Sequence, residues 1–229
     1  MSVAAIVVAG GAGTRMRSEV NKVFIEVHGR SLLEWSLALF QEVPVVTEMV
    51  IVSRQADLER SCQLARRYGK LSSVVVGGDV RHRSEFAGIK ALAASIDGGR
   101  ITTVLVHDAV RPFASRRLVE RVVVGIDEAV GCIPGLRVPG TVVEETDGWV
   151  SGYPENLWAV QTPQAFQATW LLEAHNKAAR QGFIGSDTAS VVEWAGGDVK
   201  VIEGENNNIK ITSPEDLGRA EQIAAGFGG

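Results

Sequence analysis

"VAAIVVAGGAGTRM", residues 3–16, sets an apolar run directly against three glycines and an arginine. Residues 3–9 show no polar alternation, the pattern of a parallel strand covered on both faces. In an open parallel sheet, ligands bind in the crevice at the carboxyl ends of the strands. Glycines placed there let backbone N–H groups approach phosphate oxygens, because no Cβ intervenes. Taken alone, the stretch supports two readings, a phosphate cradle and a tight strand-to-helix turn.

Outward from this stretch the same kind of run recurs at 47–53 ("TEMVIVS"), 72–76 ("SSVVV") and 101–107 ("ITTVLVH"). Amphipathic stretches fill the gaps, starting at Ser31, running from Ala56 to Gly69, and starting again at Ser84 and Ser115. Ser31 with Glu34 spells a capping box, and Gly69 suits a helix stop. Alternating β and α elements predict an α/β fold, a doubly wound, mostly parallel open sheet of Rossmann-like type. Between about 135 and 160 the alternation breaks. Two prolines, spaced valines and the turn "TDGW" predict two extended strands around a hairpin, a protruding β-arm. Such an arm cannot bury both faces alone, so a second copy of the chain is expected to cover one. Helices are predicted near 167–181 and 187–195, a strand at "DVKVIEG" (198–204), and a last helix from Pro214. The whole chain, 1–229, reads as a single domain carrying the arm.

Composition narrows the function classes. The 229 residues, 45% apolar and 22% charged, suit one globular domain with a substantial core. A net charge of −4 provides no broad basic field for nucleic acid or an anionic membrane. No apolar run nears the ~20 residues of a spanning helix. The N-terminal run has no basic segment ahead of it and meets glycines where a signal peptide would carry its cleavage site. Cys62 and Cys132 lack a C-x-x-C partner and are expected as buried thiols in a reducing cytosol, without zinc.

The glycine loop fits neither familiar phosphate motif. Both the P-loop lysine, counted from Gly10, and the third Rossmann glycine, counted from Gly11, fall on Met16. Arg15 and Lys22 together nevertheless suit a triphosphate or pyrophosphate, although Lys22 alone reads more readily as a solvated lysine. "VVVGGDVRHRS" (74–84) is a second strand followed by glycines. Gly77 and Gly78 could admit a base edge, with Asp79 and Ser84 supplying hydrogen bonds, or the segment is only a capped turn. Arg81, His82 and Arg83 read as a solvated helix start, with Arg81 able to reach inward. "VLVHDAVRPF" (104–113) brings Asp108 and Arg111 to a strand end, where magnesium takes one or two carboxylates together with phosphate oxygens. His107 reads as a hydrogen-bonded structural histidine.

Together "AGGAGTRM", "NK", "GGDVRHRS", "HDAVRPF", "VQTPQAF", "SDTASVVE" and "NNIKITSPEDL" resemble, in order, the 2-C-methyl-D-erythritol 4-phosphate cytidylyltransferases of non-mevalonate isoprenoid biosynthesis. The resemblance spans residue 3 to about 223. It implies a cytoplasmic homodimeric enzyme that embraces its partner through the arm, uses Mg2+, and transfers CMP from CTP with release of pyrophosphate. It implies Arg15 and Lys22 as catalytic cations, and CTP contacts from Ala9, Gly10, Gly11, Ala12, Gly13, Thr14, Gly78, Asp79, Ser84 and Lys210. For the acceptor it implies Asp108, Arg111, Thr141, Thr162 and Ser186, with Lys210 also nearby and Asp108 as metal ligand.

The chain departs from the family pattern in the arm. Gly140 stands where aspartate is usual, and Pro154 where an arginine would grip the acceptor phosphate across the dimer. Ser186 replaces a common threonine and keeps the hydroxyl. Arg137, at the start of the arm, is a candidate replacement for the missing arginine. These changes touch the acceptor side and leave two rivals open: a cytidylyltransferase for another alditol phosphate such as ribitol 5-phosphate, and a silent nucleotide-binding protein. "DTASVVE" and "LWAVQTPQAF" favour methylerythritol phosphate.

Overall fold

The computed structural model describes residues 2–10 and 21–226. In chain order these form β1 (Val3–Val8), a single 3-10 turn (Lys22–Phe24), β2 (Glu26–Val27), β3 (Arg30–Ser31), α1 (Leu32–Glu42) and β4 (Val46–Ser53). A second 3-10 turn (Gln55–Asp57) leads into α2 (Leu58–Ala65), β5 (Leu71–Val76), α3 (Arg81–Ala91), α4 (Ala93–Asp97), β6 (Thr103–Asp108) and α5 (Arg116–Gly125). Then follow β7 (Gly131–Arg137), β8 (Glu144–Thr146), β9 (Trp149–Gly152), β10 (Trp158–Val160), β11 (Gln164–Gln167), α6 (Ala168–Gln181), α7 (Thr188–Ala195), β12 (Val199–Glu203) and α8 (Pro214–Ala225).

The main sheet runs β10-β7-β11-β6-β1-β4-β5, with β12 also paired to β7. Its β6-β1-β4-β5 half is parallel throughout, as the continuous apolar runs predict. Successive residues of β1 face opposite sides: Val3, Ala5 and Val7 pack with Leu37, Phe40 and Leu118, while Ala4 and Ile6 pack with Ile89, Leu92 and Leu171. Helices on both faces therefore require apolar residues at every position of the strand. Each large side chain so buried contributes roughly 1.5–3 kcal/mol. The predicted capping box starts α1, with Ser31 Oγ accepting from the Glu34 N–H at 3.3 Å and Glu34 Oε2 accepting from the Ser31 N–H at 3.1 Å.

Beyond β6 the sheet is mixed. β11 runs antiparallel to both β6 and β7, and β10 pairs antiparallel with β7. The segments 135–137 and 158–160 thus belong to the main sheet, and the excursion proper lies between them. Its tip is a separate two-stranded hairpin of β8 and β9. Asp147 (φ 53°) and Gly148 (φ 83°) at the turn take the two left-handed conformations that a tight hairpin requires. Trp149 beside them is 79% exposed.

One expectation fails outright. Cys132 is buried but Cys62 is exposed. On α2 Ser61 is buried, within 2.8 Å of Ser53 Oγ, and Leu64 packs against the core, so Cys62 falls on the opposite, solvent-facing side. Among the described residues, no helix is long and apolar enough to cross a membrane.

Candidate active site

The strand register brings the carboxyl ends of β6, β1, β4 and β5 to one edge: Val8 sits opposite both Asp108 and Val52, and Ser53 opposite Val76. Along this edge, the start of the first glycine loop meets the second glycine turn. A Cβ on Gly77 would come within 2.7 Å of Ser84 Oγ, and one on Gly10 within 3.5 Å of the same atom. Gly10 and Gly77 therefore both lie against Ser84, and a side chain at Gly77 would collide with its hydroxyl. Ser84 is buried, its hydroxyl within reach of the Gly78 and Val80 carbonyls at 3.2 and 3.1 Å. Asp79 is exposed and paired with Arg83 at 2.7 Å. Ala9 closes β1 with its N–H on Val52 O at 2.8 Å. Gly11, Ala12, Gly13, Thr14 and Arg15 lie outside the described residues. Lys22 opens the 3-10 turn that follows them, half-buried.

Asp108 ends β6 between two cations. Lys210 Nζ lies 2.8 Å from its Oδ2, and Arg81 Nη2 lies 3.1 Å from its Oδ1. Burial opposes its ionisation, but Arg81 and Lys210 outweigh that and hold the carboxyl at about 2. Arg81 also donates to Glu85 Oε1 at 2.7 Å, and Glu85 has no exposed surface. The expected solvated helix start therefore holds only for Arg83. Arg81 turns inward to the two carboxylates, and His82 is buried against His175 with ring centroids 5.0 Å apart.

His107 is structural, as expected. Its Nε2 lies 3.1 Å from Arg111 O, which only accepts, so Nε2 carries the proton. Nδ1 then accepts from Thr162 Oγ1 at 3.1 Å, and Thr162 Oγ1 in turn accepts from the Asp108 N–H at 3.0 Å. Full burial pushes the imidazole down to about 4, so it stays neutral. With its proton committed to His107, Thr162 offers an incoming ligand only an oxygen lone pair. Arg111 braces the opposite side, donating to Asn208 O at 2.8 Å and Val160 O at 3.1 Å.

Two residues for which the sequence suggested no role hold this corner together. Gln161 Nε2 donates to Glu205 O at 2.9 Å, and Asn208 Nδ2 donates to Thr162 O at 2.9 Å. They fasten the 205–208 segment over the residues preceding β11, which delivers Lys210 to Asp108. Both residues lie in motifs that carry the family resemblance, "VQTPQAF" and "NNIKITSPEDL", but nothing in the sequence assigned either side chain a role.

Thr141 and Ser186 are exposed and make no recorded contact with this cluster. Thr141 lines a concavity of about 400 Å³ on the arm with Gly140, Tyr153 and Pro154. Gly140 has φ +81°, a left-handed conformation that favours glycine and that aspartate tolerates better than most residues. Arg137 stacks its guanidinium over Trp158, 4.7 Å from the ring centre.

Asp108 is one carboxylate at a strand end, its ionised form favoured by Arg81 and Lys210, which meets the modest protein contribution that magnesium requires when phosphates supply the other oxygens. Among the described residues, no group of three or more His, Cys, Asp or Glu side chains could hold a metal unaided.

The family model for 2-C-methyl-D-erythritol 4-phosphate cytidylyltransferase, IspD, matches residues 3–225. The chain belongs to the IspD family. It is 39% identical to the enzyme of that name from Halalkalibacterium halodurans, over 98% of both chains, and 38% identical to that of Geobacillus kaustophilus, also over 98% of both. Among solved structures, the 4-diphosphocytidyl-2C-methyl-D-erythritol synthase of Anaerococcus prevotii superposes with a TM-score of 0.84 at 31% identity, covering 98% of this chain and 96% of that one. The Thermus thermophilus cytidylyltransferase gives 0.75 at 33% identity, covering 98% and 100%. The IspD activity is a nucleotidyl transfer, EC 2.7.7.60, that joins a cytidylyl group to methylerythritol phosphate in the non-mevalonate pathway.

Proposed function

We propose that the edge formed by β1, β5 and β6 binds CTP along the glycine turns and methylerythritol phosphate beside Asp108, and that Arg15 and Lys22 stabilise the charge developing during transfer. The observation that carries this reading is the Arg81–Asp108–Lys210 cluster. Arg81, Lys210 and Arg111 all act on the one carboxylate of Asp108, with Glu85 paired to Arg81 and Asp187 also near it, so three cationic groups are gathered where a phosphate would be held. The acceptor phosphate, with a second pKa of about 6, is largely dianionic near neutrality and needs no general base. Its oxygen attacks the α-phosphorus of CTP in line. The P–O bond to the β-phosphate breaks, and pyrophosphate leaves with the electron pair. Catalysis is then alignment and charge neutralisation.

Magnesium, when bound with the triphosphate, would neutralise part of its charge, and Asp108 is the residue that would hold it. Ser84 fixes the glycine turn against which a base would rest, Arg111 and Lys210 orient the acceptor, and Thr162 sets the Asp108 backbone. The arm's exposed Trp149, Val150 and Tyr153 provide an apolar surface for a second copy, and we assign the chain a homodimer. With CTP and a phosphorylated alcohol as substrates, the reaction is placed in the cytoplasm.

The test is pyrophosphate release from CTP and magnesium in parallel with methylerythritol phosphate and with ribitol 5-phosphate. Release with methylerythritol phosphate alone is expected. Release with ribitol phosphate, or with neither, would overturn the acceptor assignment.

A further inference from the structure

One side chain joins the two ends of the segment between β1 and the 3-10 turn that carries Lys22. Asn21 is 3% exposed. Its Nδ2 donates to Ala9 O at 3.0 Å and to Asp57 Oδ2 at 2.8 Å, and its Oδ1 accepts from the Val23 N–H at 3.4 Å. Asp57 is gripped in turn by Arg54 Nε at 2.5 Å. Ala9 is already pinned to β4 through Val52 O. The contacts thus connect the end of β1, the end of β4 and the start of the lysine turn through a single amide.

A cap for the 3-10 turn would need only the Oδ1 contact, and that is the longest of the three. Serine or aspartate would cap as well. Neither can donate twice, and aspartate would set an anion against the Ala9 carbonyl and the Asp57 carboxylate. The double donation requires asparagine here, and its effect is to fix the lysine turn to the strand edge.

We infer that Asn21, supported by Asp57 and Arg54, is a positioning residue that sets Lys22 at the carboxyl end of β1 for transfer. The inference rests on the reading of Lys22 as a charge-stabilising cation. Misplacing such a group by about 1 Å costs on the order of 100-fold in rate.

The experiment is an epistasis measurement of pyrophosphate release at saturating CTP and methylerythritol phosphate. Asn21→Ala is expected to lower kcat about tenfold or more with the acceptor KM unchanged, and Lys22→Ala about 100-fold. The double variant should match Lys22→Ala within about twofold, because nothing then remains to be positioned. Asp57→Ala, combined with Lys22→Ala in the same way, reports the same coupling if Asn21→Ala does not fold, and Asp57→Asn should restore most of the rate. A loss from Asn21→Ala that is equally large with and without Lys22 would mean a purely structural role and overturn the inference. Wild-type turnover in Asn21→Ala would do the same. Wild-type turnover in Lys22→Ala would remove the premise instead, and with it the inference.

Discussion

Replacing Arg81 with methionine should produce a destabilisation that grows with pH. Arg81 serves both Asp108 and Glu85, but the two carboxylates lose it unequally. Asp108 keeps Lys210 at 2.8 Å and stays ionised. Glu85, with no exposed surface, is paired with no other cation among the described residues. Burial already raises its carboxyl above the ordinary value even with Arg81 opposing. Without Arg81, the folded protein can leave Glu85 ionised, at a cost of about 3–5 kcal/mol, or protonate it. Protonation against an unfolded value of 4.5 costs about 1.4 kcal/mol at pH 5.5 and about 4.8 kcal/mol at pH 8. The cheaper route is taken at each pH. The folded state binds the extra proton, so stability falls as pH rises, by up to about 1.4 kcal/mol per pH unit. Urea unfolding of wild type and Arg81→Met at pH 5.5 and 8 measures the difference directly. Arg81→Met combined with Glu85→Gln should lose the slope. A pH-independent deficit, or a slope surviving in the double variant, would refute the assignment of Glu85 as the orphaned charge.

Two further predictions concern groups outside the transfer chemistry. His175 is fully buried against His82 and Phe86, and burial, then the proximity of His82, pushes it down to about 3. The unfolded chain therefore binds the extra proton, and stability drains as pH falls from about 6.5 toward 3, by about 2.7 kcal/mol at pH 4.5. His175→Phe should narrow the gap between melting temperatures at pH 4.5 and 7.5, and an unchanged gap would exclude His175 as its source. With Cys62 exposed and the Cys132 thiol buried and pushed up to about 11, an aromatic disulfide reagent should titrate one fast thiol per native chain. Cys62→Ser should abolish that phase, and two fast thiols would contradict the burial of Cys132.

The parallel half of the sheet was legible because burial on both faces demands unbroken apolar runs, and β1, β4 and β6 have them. α6 and α7 were equally plain, expected near 167–181 and 187–195 and found at Ala168–Gln181 and Thr188–Ala195. β7 and β11 were not. β7 carries Pro134 in its middle, and β11 is four residues with glutamine at each end, so neither shows a periodic pattern; their pairing depends on neighbours distant in sequence. Of the site, Asp108 could be read from its place at a strand end, and the two glycine turns from composition. Arg81 could not be settled, since inward and outward orientations at the start of a helix use the same residues, and the choice depended on Asp108 and Glu85 lying beneath it. Gln161, Asn208 and Asn21 were invisible for a related reason: an amide acquires a purpose only when the chain brings it two partners.

Because β11 runs against β6, the residues just ahead of that strand sit beside Asp108, with Gln164 opposite Val106. The excursion leaves and re-enters the sheet at a clasped neck, Arg137 opposite Trp158, and the return path to Thr162 is fixed below that clasp. The β8–β9 hairpin distal to the neck pairs within itself, in a sheet separate from the one that ends at Asp108. The architecture thereby divides the molecule into a packed strand edge that carries Asp108 and a handle hung from the neck. Gly140 and Pro154, the two departures from the family pattern, both fall on the handle, where they line one concavity away from the strand ends.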